Sequence, residues 1–163
     1  SDLLLIPTHN PPHKESPEVD ASHRARMTEL AVRDDDSLTV SRVELEREGP
    51  SYTIHTLQAL RDDYPEESLV LLIGGDELVQ FTEWKDWEAI LRECELVGMN
   101  RPGTDETRSA DPDVMDHARF VDIPEIEISS TMIRNRLRND RPAEYFLPES
   151  VRDYIDKHNL YCS

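Results

Sequence analysis

The sequence predicts an α/β fold in one domain, an open parallel sheet with helices on both faces. Three observations predict it. Short apolar runs alternate with helix-like stretches along the chain, which is the order that parallel pairing through crossover helices requires. The first run, Leu3-Leu4-Leu5-Ile6, is continuously apolar and closed by Pro7, the pattern of a strand covered on both faces. The loops that follow the apolar runs hold nearly all the unusual residues, as expected of a sheet that binds ligands beyond the carboxyl ends of its strands. A chain of 163 residues with 37% hydrophobic content is long enough for a single core.

The elements follow in order. After the first strand, a proline-rich loop runs from Thr8 to Pro17. Ala21 to Arg33 then places Ala25, Met27, Leu30 and Ala31 on a helical stripe, with Ser22 able to cap its start and Asp34-Asp35-Asp36 ending it. Ser37 to Leu45 alternates imperfectly and reads as a strand. Gly49-Pro50 turns into a helix from Thr53 to Asp63, and Leu69 to Ile73 is the clearest strand in the chain. A helix is expected around Asp86 to Glu93, a strand at Leu96 to Met99, a loop from Arg101 to Asp113 and a strand at Ala118 to Ile123. Two helices close the chain, from Ser130 to Asn139 and from Glu149 to His158, with Pro148 just outside the second. Neither an internal repeat nor a low-complexity tract interrupts this order.

Composition narrows the function classes. The formal net charge is -17, and only three lysines occur, Lys14, Lys85 and Lys157. Nucleic acid is not an expected partner for so acidic a chain. A field of that sign also repels anionic substrates, so any phosphate binding has to rest on local arginines, helix N-termini and a divalent cation. The apolar runs are far shorter than the roughly 20 residues that a membrane-spanning helix needs. Cys94 and Cys162 are too far apart in sequence for a metal knuckle, and free thiols in a reducing cytoplasm are expected. Acid excess with arginine in place of lysine is a pattern shared with proteins of salt-rich cytoplasms, and a merely solubilising surface is the other reading.

Four loops could carry chemistry. Thr8 to Lys14 ends in His13 and Lys14, and its two prolines stiffen a segment able to hold cations over phosphates; an ordinary surface loop gives the same composition. Gly74-Gly75-Asp76 follows the clearest strand, where glycines admit a ligand to the backbone and a carboxylate can accept ribose hydroxyls; a tight turn with a helix-capping aspartate is equally consistent. Trp84 sits nearer the expected mouth than Trp87, which fits core packing, and its ring could stack on a flat base. Ser129-Ser130-Thr131 with Arg134 offers hydroxyls, helix amides and a guanidinium to a phosphate, although an N-cap before a solvated basic face also explains it. Gly49-Pro50-Ser51-Tyr52-Thr53 reads as an ordinary helix start.

Taken together and in order, these segments resemble the bacterial nicotinate-nucleotide adenylyltransferases of the nucleotidyltransferase superfamily, which have a Rossmann-like fold. The resemblance runs through Ile6-Pro7 with Pro11-Pro12-His13-Lys14, Arg24 with Met27 and Leu30, Pro50-Ser51-Tyr52-Thr53 with Thr56-Leu57, and Ile73-Gly74-Gly75-Asp76 with Leu78, Phe81 and Trp84. It continues through Arg101-Pro102-Gly103, Ile128-Ser129-Ser130-Thr131 with Ile133-Arg134, and Tyr154-Ile155 with Leu160-Tyr161. It implies that Trp84 stacks on a pyridine ring, beside Tyr52, while backbone amides near Thr53 and Lys85 read its carboxylate. Lys85 stands where an aromatic residue often follows the tryptophan. His13 and Lys14 would approach phosphates, Gly74 and Asp76 would contact the adenosine side, and Ser130 with Arg134 would hold the triphosphate. The reaction implied is transfer of an adenylyl group from ATP, with Mg2+, to nicotinate mononucleotide.

The family's glycine-rich first loop with paired histidines is not among the six histidines of this sequence. The expectation is a nucleotidyltransferase domain over residues 1–163 that lacks its first strand, loop and helix, and that is inactive in that form. Two other readings stay open: an adenylyltransferase of the phosphopantetheine type, against which Trp84 and Pro50 to Thr53 speak, and a nucleotide-binding module without catalysis. The sequence does not fix the oligomeric state, and a homo-oligomer is compatible with it.

Overall fold

The structure, a computed structural model, describes residues 3–11, 17–100, 110–124 and 126–161. Its elements are β1 (Leu3–Leu5), α1 (Ala21–Val32), β2 (Leu38–Val40), α2 (Thr53–Asp63), β3 (Val70–Gly74), α3 (Gly75–Val79), a 3-10 turn (Phe81–Glu83), α4 (Trp87–Glu93), β4 (Glu95–Asn100), α5 (Pro112–His117), β5 (Ala118–Asp122), α6 (Ser130–Arg138) and α7 (Glu149–His158). Every strand pair among the described residues is parallel, as the alternation of elements requires. The chain divides into two compact units, residues 1–51 with 127–163, and residues 52–126. Among the described residues no helix is long and apolar enough to cross a membrane.

In the first unit β1 pairs with β2, Leu4 opposite Thr39. Its core gathers Val19, Val151, Ile155 and Leu160, with Met27 and Leu30 of α1 packed against them. The helix α1 starts after Asp20 with no side-chain cap, so Ser22 lies inside the first turn and does not cap it. The strand read over Ser37 to Leu45 is only three residues long. Beyond Val40 the chain coils into successive turns, with Leu45 and Glu46 N–H donating to the Arg42 carbonyl. Val43 and Leu45 are part-buried in those turns, and alternation in sequence cannot distinguish that from a pleat.

In the second unit β4 lies between β3 and β5. The core is Ile54 and Leu57 of α2, Ile73, Leu78, Phe81, Ile90, Leu96 and Val114. Phe81 is fully buried, and removing its ring would cost about 3–5 kcal/mol. A Cβ on Gly98 would stand 2.5 Å from Leu78 Cδ1 and 3.0 Å from Phe120 Cε1, so the glycine lets α3 and β5 close on β4. Two helices depart from the sequence expectation: α3 occupies what reads as loop after Gly74, and α5 begins within the expected loop before Asp113. They are five and six residues long, too short for a helical period to register. Full cover of the apolar strands is not reached either, since Leu3 is 41% and Val70 51% exposed; β1 and β3 each have one paired neighbour among the described residues.

Candidate active site

The second unit places the aromatic group. After β3 the chain turns at Gly74, where a Cβ would meet Asp76 Oδ1 at 2.5 Å, so the Asp76 carboxylate lies folded back over this glycine. Asp76 is exposed in the first turn of α3. The 3-10 turn then delivers Trp84, whose N–H donates to the Phe81 carbonyl at 3.0 Å. Its indole is half-buried, lying 5.1 Å from the Phe81 ring at 35°. One side of the ring is thus seated on the core while the side chain keeps solvent access, the geometry a stacking platform needs. Trp87 opens α4 and packs against the same core, as its spacing indicates.

The start of α2 lies in this unit. Tyr52 is its N-cap residue in extended conformation, and no side chain caps the helix. The N–H groups of His55 and Thr56 turn back to the Tyr52 carbonyl at 3.0 and 3.2 Å, and those of Thr53 and Ile54 stand ahead of them at the helix entry, where the helix itself offers no carbonyl. Lys85, exposed between the 3-10 turn and α4, returns to this helix end. Its ammonium donates to His55 Nε2 at 3.3 Å and rests 4.7 Å from the centre of the Tyr52 ring. Tyr52 and His55 meet edge to face at 5.6 Å. Sequence reading gave Lys85 only a backbone role and did not single out His55; a pairing across 30 positions leaves no local signal.

The first unit places the arginine. At the start of α6 the three hydroxyls separate by role: Ser129 is the N-cap, its Oγ accepting from Met132 N–H at 3.1 Å, and Thr131 Oγ1 accepts from the Arg134 guanidinium at 3.2 Å. Ser130 is exposed on the first helical position. Ser130 and Arg134 line a cavity of about 380 Å³ over Met27 and Val151, with Arg24 and Tyr161 at the same wall. Burial pushes the Tyr161 phenol up, while Arg134 and Arg24 pull it the other way. Arg24 also donates to the Val19 carbonyl at 3.2 Å and the His9 carbonyl at 3.4 Å. Together with the exchange between Asn10 and Ser51, whose N–H donates to the Asn10 carbonyl at 2.9 Å, it fixes the backbone of the loop after β1. His13 and Lys14 on that loop, and Arg101 to Gly103, lie outside the described residues. Among the described residues no three metal-ligating side chains gather into a cation site.

Comparison with known proteins agrees with the fold. The family model for cytidylyltransferase-like proteins matches residues 2–136. A probable nicotinate-nucleotide adenylyltransferase of Oceanobacillus iheyensis is 39% identical over 98% of this chain and 81% of its own. The nicotinate-nucleotide adenylyltransferase of Bacillus subtilis is 35% identical over 98% of this chain and 82% of its own. Among solved structures, a Plasmodium falciparum nicotinic acid mononucleotide adenylyltransferase complexed with NaAD superposes with a TM-score of 0.74 at 18% identity, covering 98% of this chain and 82% of that one. The structural likeness carries the Rossmann-like fold, and the sequence identity carries the kinship: this chain belongs to the cytidylyltransferase-like family and, within it, to the nicotinate-nucleotide adenylyltransferases.

Proposed function

We propose that this protein transfers the adenylyl group of ATP to nicotinate mononucleotide, releasing pyrophosphate and forming deamido-NAD in NAD biosynthesis. The observation that carries the reading is the half-buried indole of Trp84, backed by Phe81 in a chain of this family. In this reading Trp84 stacks on the pyridine ring, Tyr52 flanks it, and the amides of Thr53 and Lys85 receive its carboxylate. Gly74 and Asp76 meet the adenosine, the carboxylate accepting ribose hydroxyls. Ser130 and Arg134 hold the triphosphate, the guanidinium in a bidentate contact supported by Thr131. His13 and Lys14 approach the phosphates.

A phosphate oxygen of the mononucleotide attacks the α-phosphorus of ATP in line, the new P–O bond forming as the bond to pyrophosphate breaks. Such chemistry asks the protein for positioning and charge neutralisation and for no covalent intermediate. Mg2+ would enter with ATP and supply charge neutralisation on its phosphates. We assign the protein to the cytoplasm, where both substrates occur.

A coupled assay of the full-length protein with Mg-ATP and each of nicotinate mononucleotide and phosphopantetheine tests the proposal. Pyrophosphate release with the mononucleotide, and formation of deamido-NAD, is the expected result. Preferential turnover of phosphopantetheine, or of neither acceptor, would overturn it.

A further inference from the structure

Lys85 offers more to the mononucleotide than a backbone amide. We propose that its ammonium, held between Tyr52 and His55 at the start of α2, selects the acid mononucleotide over the amide by pairing with the pyridine carboxylate; this rests on the function proposed above. Three features of the structure carry it.

The first is position. The ammonium lies over the ring of Tyr52 and 3.3 Å from His55 Nε2, so it is bracketed by residues on either side of Thr53, whose amide is one of the two proposed carboxylate donors. The other is the amide of Lys85 itself. A carboxylate received at both amides would sit at the helix end to which the ammonium is held.

The second is that this charge is left for a ligand. Lys85 has Glu83 and Asp86 as close sequence neighbours in a chain of net charge -17, yet it forms no ion pair with a carboxylate of the described residues. Its partners are a π-face and an imidazole nitrogen, and neither is a carboxylate. An ammonium can only donate, so in this contact His55 Nε2 accepts. The first turn of α2 also contains no acidic residue to take the place of a bound carboxylate.

The third is order. A free lysine loses much rotamer freedom when it binds, and one already held by a ring and a hydrogen bond loses less. The neutral carboxamide has no charge to gain from this arrangement, and its amino group meets an ammonium of the same donor character. Discrimination follows from the carboxylate gaining a charge-assisted bond that the amide cannot form.

Titration of tryptophan fluorescence in the full-length protein with nicotinate mononucleotide and with nicotinamide mononucleotide tests this without requiring turnover. Wild type is expected to bind the acid at least about tenfold more tightly than the amide. Lys85→Gln is expected to weaken the acid by roughly five- to tenfold and leave the amide within about twofold, while Lys85→Arg keeps most of the preference. An unchanged ratio in Lys85→Gln would overturn the inference and leave the proposed function standing. Equal weakening of both ligands in Lys85→Gln and Lys85→Arg would overturn it too, by showing that Lys85 only supports the fold. Quenching of wild type by neither mononucleotide would overturn this inference and the proposed function together.

Discussion

At the scale of single residues, side chains that look alike in sequence take separate tasks once they are placed. Cys94 illustrates the structural kind: burial pushes its thiol up to about 11, and its Sγ donates to the Ile90 carbonyl at 3.4 Å. At pH 8 only about one Cys94 in a thousand is then a thiolate, so native protein should resist alkylation at this position and react once denatured. Peptide mapping after iodoacetamide treatment checks this, and rapid modification of Cys94 in native protein would contradict it. Trp84 and Trp87 both pack against one core cluster, and they differ in place, one falling before α4 and the other opening it. The partnership of Lys85 with His55 was not legible in the sequence, because nothing local links residues 30 positions apart.

At the scale of elements, legibility followed the strength of the end signals. The helices Thr53–Asp63 and Glu149–His158 have the limits that their flanking prolines, glycine and apolar spacing indicate. The helices α3 and α5 escaped because so few residues cannot display a period, and β2 was overextended because turn-packed apolar residues imitate alternation. The start of α6 yields the sharpest prediction at this scale. Ser129 caps the helix, so Ser129→Ala should cost about 1 kcal/mol and lower the melting midpoint by about 3 °C. Ser130→Ala should leave the midpoint unchanged and weaken ATP binding roughly tenfold, the worth of one hydrogen bond to a charged group. Calorimetry and ATP titration of the two variants separate the roles, and reversed effects would refute the assignment.

At the scale of the whole molecule, charge dominates. A net charge of -17 over 163 residues makes the compact state repel itself, and ion pairs such as Arg42 with Glu29 offset this only locally. Burial alone would raise the Glu29 carboxyl, yet hydrogen bonds and attraction from Arg42 and Arg26 hold it below the ordinary carboxylate range. A carboxyl lowered in the folded state stabilises above its unfolded pKa and loses that contribution as pH falls through the folded one. Glu29→Gln should therefore cost about 0.5 kcal/mol near neutral pH and nothing in strong acid, read from urea unfolding at both. Salt screens the general repulsion, so the melting midpoint should rise by roughly 5 °C between dilute buffer and molar potassium chloride. A flat response would show that the acidic surface serves solubility alone.

The proposed function stands on the indole of Trp84 receiving the pyridine ring of nicotinate mononucleotide. A crystal structure of the full-length protein soaked with that mononucleotide tests it most directly. The expected result is the ring parallel to the indole at about 3.5–4 Å, with its carboxylate at the amides of Thr53 and Lys85. A mononucleotide bound elsewhere, with the exposed side of Trp84 left bare, would contradict it.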